Sequence, residues 1–344
     1  MASRVAPRTR RGWGEKNRRL GRAHGALAGL ALGDALGMPT QSMPRDAIAE
    51  RFGPISTLVD APADQPVAPG LPAGSVTDDT AQALLLARLL IEGGGQVSPD
   101  SFAAALRQWE REMVARGSAD LLGPSTKAAL VALEAGQDSS RSGQLGTTNG
   151  AAMRIAPVGI VHGPGVGLWQ AVRDVTSVTH GSSLGLAGAY AVAAAVAHGI
   201  DSGEPRDAVI AGIAAAHFAG GRGTWVAGAD IAARFDALAP LARGLSDQAF
   251  ASFLYQVVGT SIQSQESVVS AFLLVDRFAS QPYEALKMAA GLGGDTDTIG
   301  SIAGAILGAS HGLQAFPEAE LAQVEAVNRL DLQAVAEQLI ALRR

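Results

Sequence analysis

The chain has 344 residues, 47% hydrophobic, 17% charged and 5% aromatic, with a formal net charge of −5. This is material for a large packed core, and the acidic balance does not point to nucleic acid. Cysteine is absent and histidine numbers six, which excludes disulfides, thiolate metal sites and cysteine nucleophiles; any metal site must be mostly oxygen, favouring Mg, Ca or Mn over Zn.

The elements are predicted as follows. Residues 1–22 carry Arg4, Arg8, Arg10, Arg11, Lys16, Arg18, Arg19 and Arg22 against one acid, Glu15, and so leave −12 on the remainder. They read as a basic, disordered, solvated tail, with a polyanion-binding arm as the alternative. The charges are not followed by the apolar stretch a signal peptide requires. From Ala23 to Leu36 the chain is apolar, with Gly25, Gly29 and Gly33 four residues apart, on one face of a helix where another helix can approach closely. Pro54 to Gly74 is a loop rich in Pro, Gly, Ala and Asp. Helices are expected over Ala81–Ile91, ended by Gly93–Gly95, and over Phe102–Ala115 and Ser125–Ala135. Gly146 to Pro157 mixes turn residues with one arginine. Further helices are expected over Trp169–Thr179, Leu184–His198, Ala208–Phe218, Asp247–Val258 and Glu266–Phe278, a glycine-rich apolar stretch over Gly291–Gly312, and a last helix over Glu318–Leu342. No apolar run reaches the roughly 18–20 residues of a membrane span without Gly, Asp or His in it. Period-two alternation and fixed-length repeats are absent. The expectation is a cytoplasmic, all-α protein: a compact orthogonal multi-helix bundle of one domain, 23–344, behind the tail.

Two acidic clusters stand directly before apolar helices: Thr77-Asp78-Asp79-Thr80 and Asp295-Thr296-Asp297-Thr298. Capping is one reading of each, since Asp and Thr satisfy free N–H groups at a helix start. Capping needs only one such residue, however, and leaves the repeated pairs of carboxylates unexplained. Four carboxylates drawn together would repel, and some would take up protons unless cations were present. A hard divalent ion suits such oxygen donors, so an oxygen-ligated metal site at helix N-termini is the second reading.

Five motifs occur in order: Gly33-Asp34-Ala35-Leu36-Gly37, the Thr77–Thr80 cluster, Asn149-Gly150-Ala151-Ala152-Met153-Arg154, Thr179-His180, and Gly293-Gly294-Asp295-Thr296-Asp297-Thr298. Together they make the chain resemble the ADP-ribosylglycohydrolase family, which includes the dinitrogenase-reductase-activating glycohydrolases and the ADP-ribosyl-acceptor hydrolases. The resemblance covers roughly residues 23–312. It implies two Mg2+ or Mn2+ ions held by Thr77, Asp78, Asp79, Asp295, Asp297 and Thr298, ribose and phosphate contacts from Asn149 and its neighbour Gly150, and His180 at the substrate pocket. Asp34 is either support for the metal ligands or a hydrogen-bonded buried acid. Arg154 holds either a structural carboxylate or a phosphate of the ligand, and His180 has a helix-end residue as its alternative. Gln41 stands where many members of the family carry Glu, and an amide cannot take a proton as a carboxylate can.

The implied reaction is metal-dependent hydrolysis at the ribose anomeric carbon of an ADP-ribosylated substrate, through a transition state resembling an oxocarbenium ion. Two metals would hold the ribose hydroxyls and orient a water, Asp78 or Asp79 would receive its proton, and Asp295 and Asp297 would fix the ions. The alternatives are a hydrolase of a small ribosyl compound or nucleoside on the same fold, and a non-catalytic ADP-ribose binder. The expected partner is an ADP-ribosylated protein or small ribosyl substrate, with no nucleic acid or membrane and a monomer favoured. The polar segment Thr260–Val269 is either pocket lining or a surface loop.

Overall fold

The computed structural model describes residues 10–115 and 122–344, and among these the regular structure is helical, with only three isolated β-bridges. Two helices with glycines at four-residue intervals form the centre. Helix α1 (Arg10–Gly37) and helix α15 (Thr296–His311) run antiparallel in contact along most of their shared length. Small residues make this possible: Gly25 faces Gly308, Gly29 faces Gly304 and Gly33 faces Gly300. A Cβ at Gly33 would stand 2.1 Å from the Gly300 carbonyl oxygen, so the backbones meet where any side chain would separate them. The partner for the glycine face of α1 is thus the second glycine-rich stretch of the sequence.

Around this pair lie α3 (Asp78–Glu92), α9 (Ser183–Ser202), α10 (Pro205–Gly220), α13 (Ser264–Arg277) and α14 (Pro282–Ala290). Helix α9 begins at Ser182, whose hydroxyl accepts the Gly185 N–H at 3.1 Å, and ends at Gly203 in the left-handed conformation. It is long and apolar enough to cross a membrane, but 89% of its apolar window is buried by the other helices, as in a core helix. The apolar core is continuous from Ala23 to Leu339.

Several boundaries differ from those expected. Helix α1 begins at Arg10, so part of the supposed tail is helical. Arg22 donates to the Ile200 carbonyl at 3.1 Å and Arg19 pairs with Asp201 at 3.1 Å, which ties this extension to the end of α9. Residues 1–9 lie outside the described residues. The final helix is two, α16 (Glu318–Asn328) and α17 (Leu332–Ala341): Arg329 is left-handed at φ 55° and Asp331 caps α17 by accepting the Ala334 N–H at 2.9 Å. The stretch Gly146–Pro157 forms the short helices α6 (Gly150–Arg154) and, from its end, α7 (Ala156–Val161). Helix α12 (Asp247–Phe253) widens into a π-type turn over Leu254–Val258. Helices α2 (Arg45–Phe52) and α11 (Ile231–Ala242), together with α14, were not expected. The first buries only Ile48, the second contains Pro240 and the third has nine residues, so none shows a long apolar period.

The loop between α2 and α3 is irregular, as predicted, but ordered by its own bonds. The Gln65 side chain accepts the backbone N–H groups of Val67, at 2.5 Å, and Ala68, and donates to the Gln41 carbonyl at 2.9 Å.

Candidate active site

The two acidic clusters meet because α1 stands between them. Asp34, fully buried on α1, accepts the Thr77 N–H at 3.0 Å, the Thr77 hydroxyl at 2.9 Å, the Thr80 N–H at 3.1 Å and the Thr80 hydroxyl at 2.6 Å. It is a hydrogen-bonded buried acid that caps the first turn of α3 from another helix, and its partners Thr77 and Thr80 flank Asp78 and Asp79, so it also holds that cluster in place. On the other side a Cβ at Gly37 would lie 2.4 Å from the backbone of Asp297, so the end of α1 presses against the first turn of α15. Asp79 closes the join: it accepts the Ser301 hydroxyl at 2.5 Å and the Thr298 hydroxyl at 3.3 Å, both from α15.

Three further loops converge on the same point. Ser42 donates to the Gly294 carbonyl at 2.7 Å, Asp295 donates its N–H to Thr260 at 2.7 Å, and Asn149 donates its N–H to Ile262 at 2.9 Å. Between them opens a cleft of about 190 Å³. Asp78, Asp79, Asp295, Asp297 and Thr298 line it, facing Asn149, Gly150 and Gln41. Asp79 and Asp297 are 1% and 3% exposed, whereas Asp78 and Asp295 are half-buried. Asp78 accepts the Gln82 amide at 2.9 Å, and Asp295 accepts the Asn149 amide, which also donates to Ser267 at 2.9 Å.

Burial, and then the charges of neighbouring carboxylates, raise Asp78 to about 8 and hold Asp79 and Asp297 well above the ordinary range, while burial raises Asp295 against the pull of its hydrogen bonds from Asn149 and Thr298. Burial also raises Asp34, to about 6, against the pull of its four hydrogen bonds. Among the described residues, one cation stands near. Arg154, fully buried and lowered to about 9 by desolvation, donates to Gln82 at 2.7 Å and to Thr179, and lies over the Phe102 ring at 5.0 Å. Gln82 thus links the guanidinium to Asp78, so Arg154 supports the acidic cluster through an amide and touches no carboxylate itself.

Two of the expected site residues stand back from the cleft. Thr77 caps α3 and faces Asp34. His180 is fully buried behind the wall: its ring lies beneath Gly150, where an added Cβ would meet Cε1 at 3.1 Å, and its nitrogens bond Thr148 at 2.9 Å and Thr179 at 2.7 Å. Burial, and then Arg154, hold the imidazole far below its usual pKa, and it supports Thr148 rather than lining the pocket. Of Thr260–Val269, only Ile262 lines the cleft, while Thr260 bonds Asp295 through its backbone. Gln82 and Ser301 were missed. Each stands four residues after a cluster carboxylate, Asp78 and Asp297, hence on the same helix face, and that spacing was the available signal.

Among the described residues no group of three or more carboxylate or imidazole side chains forms a ready-made metal cage. The donor set nevertheless fits a hard divalent ion. Four carboxylates and the hydroxyl of Thr298 line one cleft, and Asp297 Oδ1 is buried without any hydrogen-bond donor. Such an oxygen needs a cation or a proton, and Mg2+ is commonly held by one or two carboxylates and several waters.

Comparison with known proteins agrees with the motifs. A family profile described as ADP-ribosylglycohydrolase matches residues 15–344. The uncharacterized protein YegU of Escherichia coli (strain K12) is 37% identical over 325 residues, 93% of this chain and 96% of that protein. ADP-ribosylarginine hydrolase Tri1 of Pseudomonas putida (strain GB-1) is 27% identical over 87% of this chain and 72% of its own length. A solved structure titled ADP-ribosylglycohydrolase-related protein complex superposes with a TM-score of 0.70 at 24% identity, covering 95% of this chain and 100% of that one, and shares the fold.

Proposed function

The chain belongs to the ADP-ribosylglycohydrolase family, and from that premise we propose that it is a metal-dependent hydrolase that cleaves the bond at the ribose anomeric carbon of ADP-ribosylated substrates. Membership makes it a glycosyl hydrolase; the metal and the substrate are our reading. One observation carries it: two pairs of aspartates from two helix N-termini line one cleft, with an unsatisfied buried carboxylate oxygen among them.

Asp78, Asp79, Asp295, Asp297 and Thr298 would hold one or two Mg2+ or Mn2+ ions. When bound, these would offset the carboxylate charge, hold ribose hydroxyls and lower the pKa of a water. The chain's own groups divide the remaining work. Asp79 has both oxygens engaged by hydroxyls and joins α3 to α15, whereas Asp78 has one oxygen on Gln82 and an open side toward the cleft. Asp78 is therefore the better acceptor for the proton of the attacking water. Asn149 fixes Asp295 and shapes the wall that meets the sugar.

The reading is tested by incubating the protein with ADP-ribosylated peptides, ADP-ribose esters and nucleosides, with Mg2+ or EDTA, and identifying products by mass spectrometry. Metal-dependent release of ADP-ribose is expected; no turnover of any substrate, with ADP-ribose still bound, would assign the protein as a binder. Asp297→Ala should lower kcat/KM on the order of 100-fold or more with the fold retained. Full activity of this variant after chelation would sink the proposal.

A second reading, hydrolysis of a small ribosyl compound, is favoured by the cleft itself. Its volume of about 190 Å³ is below the roughly 300–1,000 Å³ usual for drug-sized ligands. In addition, Gln41, 6% exposed, has a side-chain N–H without an acceptor, where a carboxylate would offer none. Release of ribose from nucleosides alone would decide for it.

A further inference from the structure

The segment that carries Thr148, Asn149 and Gly150 to the carboxylates begins in the wall of another cleft, of about 490 Å³. Three guanidinium groups line this second cleft, Arg141, Arg173 and Arg222, and no carboxylate does, in a chain whose net charge is −5. Arg173, on α8 (Val166–His180), reaches only its neighbour Asp174, at 3.3 Å, in an exposed pair of the kind that contributes little. Arg222 lies 3.5 Å over the centroid of Phe218, whose ring meets Trp169 edge-on at 5.3 Å, so this guanidinium is held against an aromatic floor. Among the described residues, Arg141 has no ion pair or side-chain hydrogen bond, and the Gln144 amide and Ser177 hydroxyl have no protein partner. The nearby Asp138 accepts the N–H and the hydroxyl of Ser140 on one oxygen, and its charge attracts Arg141 without a direct ion pair.

A comparison within the same molecule shows that this is unusual. A cleft of about 560 Å³ also holds three arginines, Arg206, Arg243 and Arg277, but there Asp276 faces the first two at 3.9 and 4.0 Å and Asp247 accepts the third at 2.6 Å. Those charges are matched within the protein. In the cleft of Arg141 the matching is looser: Arg173 has only the exposed Asp174, Arg222 donates to the Phe218 carbonyl, and no carboxylate lines the cleft. An anion with several acceptor oxygens supplies what is lacking, and the planar guanidinium fork suits phosphoryl oxygens.

We propose that the cleft of Arg141, Arg173 and Arg222 is a binding site for a phosphoanion bearing two or more phosphoryl groups, separate from the carboxylate cleft. The Thr179–Gly181 segment, packed beneath Gly143 and Gly146, lies between the two. The site does not depend on the metal or on the reaction assigned above.

The test is calorimetric titration of the full chain with sodium pyrophosphate, at low ionic strength and in EDTA so that no metal bridges the anion to the carboxylates. One saturable site is expected. Combined Arg141→Gln, Arg173→Gln and Arg222→Gln substitution should weaken it by about tenfold or more, as Arg173→Gln alone should in part. Arg206→Gln with Arg243→Gln, in the internally matched cleft, should leave it unchanged, and hydrolytic activity on a small conjugate should survive all of these changes. A phosphoserine peptide, with a single phosphoryl group, should bind more weakly than pyrophosphate; equal binding would overturn the requirement for two or more phosphoryl groups. The proposal is overturned if the wild-type chain shows no saturable binding, or if binding survives the triple substitution.

Discussion

Asp34 and the aspartates of the cleft illustrate one kind of residue in two roles. Asp34 receives four hydrogen bonds, all from the first turn of α3. Asp34→Ala should leave those donors buried and unsatisfied, destabilising the protein by roughly 2–4 kcal/mol in denaturant titration; a change indistinguishable from zero would show that water replaces the carboxylate. The cleft acids make a prediction about pH. Their folded pKa values lie above the ordinary carboxylate range: about 6 for Asp34, about 8 for Asp78, and higher than usual for Asp79 and Asp297. The folded chain therefore holds protons that the unfolded chain has released. The stabilisation this gives is complete below the unfolded value and is lost as pH rises through the folded ones. In EDTA the melting temperature should fall between about pH 5 and pH 8, and Mg2+ should restore most at the alkaline end. A flat or rising metal-free profile would contradict the mutual burial of these groups. Much of this was legible: the repeat of two acidic clusters at two helix starts singled out Asp78, Asp79, Asp295 and Asp297. The place of the His180 ring behind Gly150 was not legible, because adjacency to Thr179 in sequence says nothing about which side of a wall the ring occupies.

At the scale of elements, the close approach of α1 and α15 sets the distance between the two clusters. The α3 cluster is bonded to α1 through Asp34 and the α15 cluster abuts Gly37, so the glycine seam acts as a spacer for the site. Gly33→Ala should force the backbones apart and cost about 1–3 kcal/mol, as overpacking does, with a loss of kcat/KM beyond the loss of stability. Gly21→Ala, in the same helix but with open space around it, should be neutral or stabilising by up to about 1 kcal/mol. Equal melting temperatures for the two variants would show that the seam relaxes freely. The sequence disclosed that α1 needed a close partner but not which one, because Gly25, Gly29 and Gly33 would accept any helix with small residues at matching intervals. Helix α14 was missed because nine residues opening on a proline show too little periodicity.

At the scale of the whole molecule, one acid ties together helices distant in sequence. Arg343, just beyond α17, donates to the carbonyls of Gly159, Ile160 and Ala197 and to Asp201, the residue that also pairs with Arg19. One side chain thus joins α7, α9 and the C-terminus, with the start of α1 tied to the same acid. Arg343→Ala should destabilise the protein by roughly 2–3 kcal/mol, through three carbonyls left without their donor, while KM for any substrate stays unchanged, because no cleft residue touches it. A shifted KM without a shifted melting temperature would place this corner in the site.

By itself the sequence determined what could be counted or spaced. Apolar periodicity implied helices throughout, glycines at four-residue intervals implied a close helix pair, the absence of cysteine implied oxygen ligands, and ordered motifs implied the family. These depend on residues near one another along the chain. Only the tertiary structure decided which acids line the cleft and which, like Asp34, serve as a cap; that Asp79 is bound by hydroxyls from α15 while Asp78 stays open; and that His180 lies behind Gly150. It also decided that three arginines far apart in sequence share a cleft without a carboxylate. Each of these rests on contacts between distant segments, set by how closely the backbones pack, and no local pattern encodes that distance.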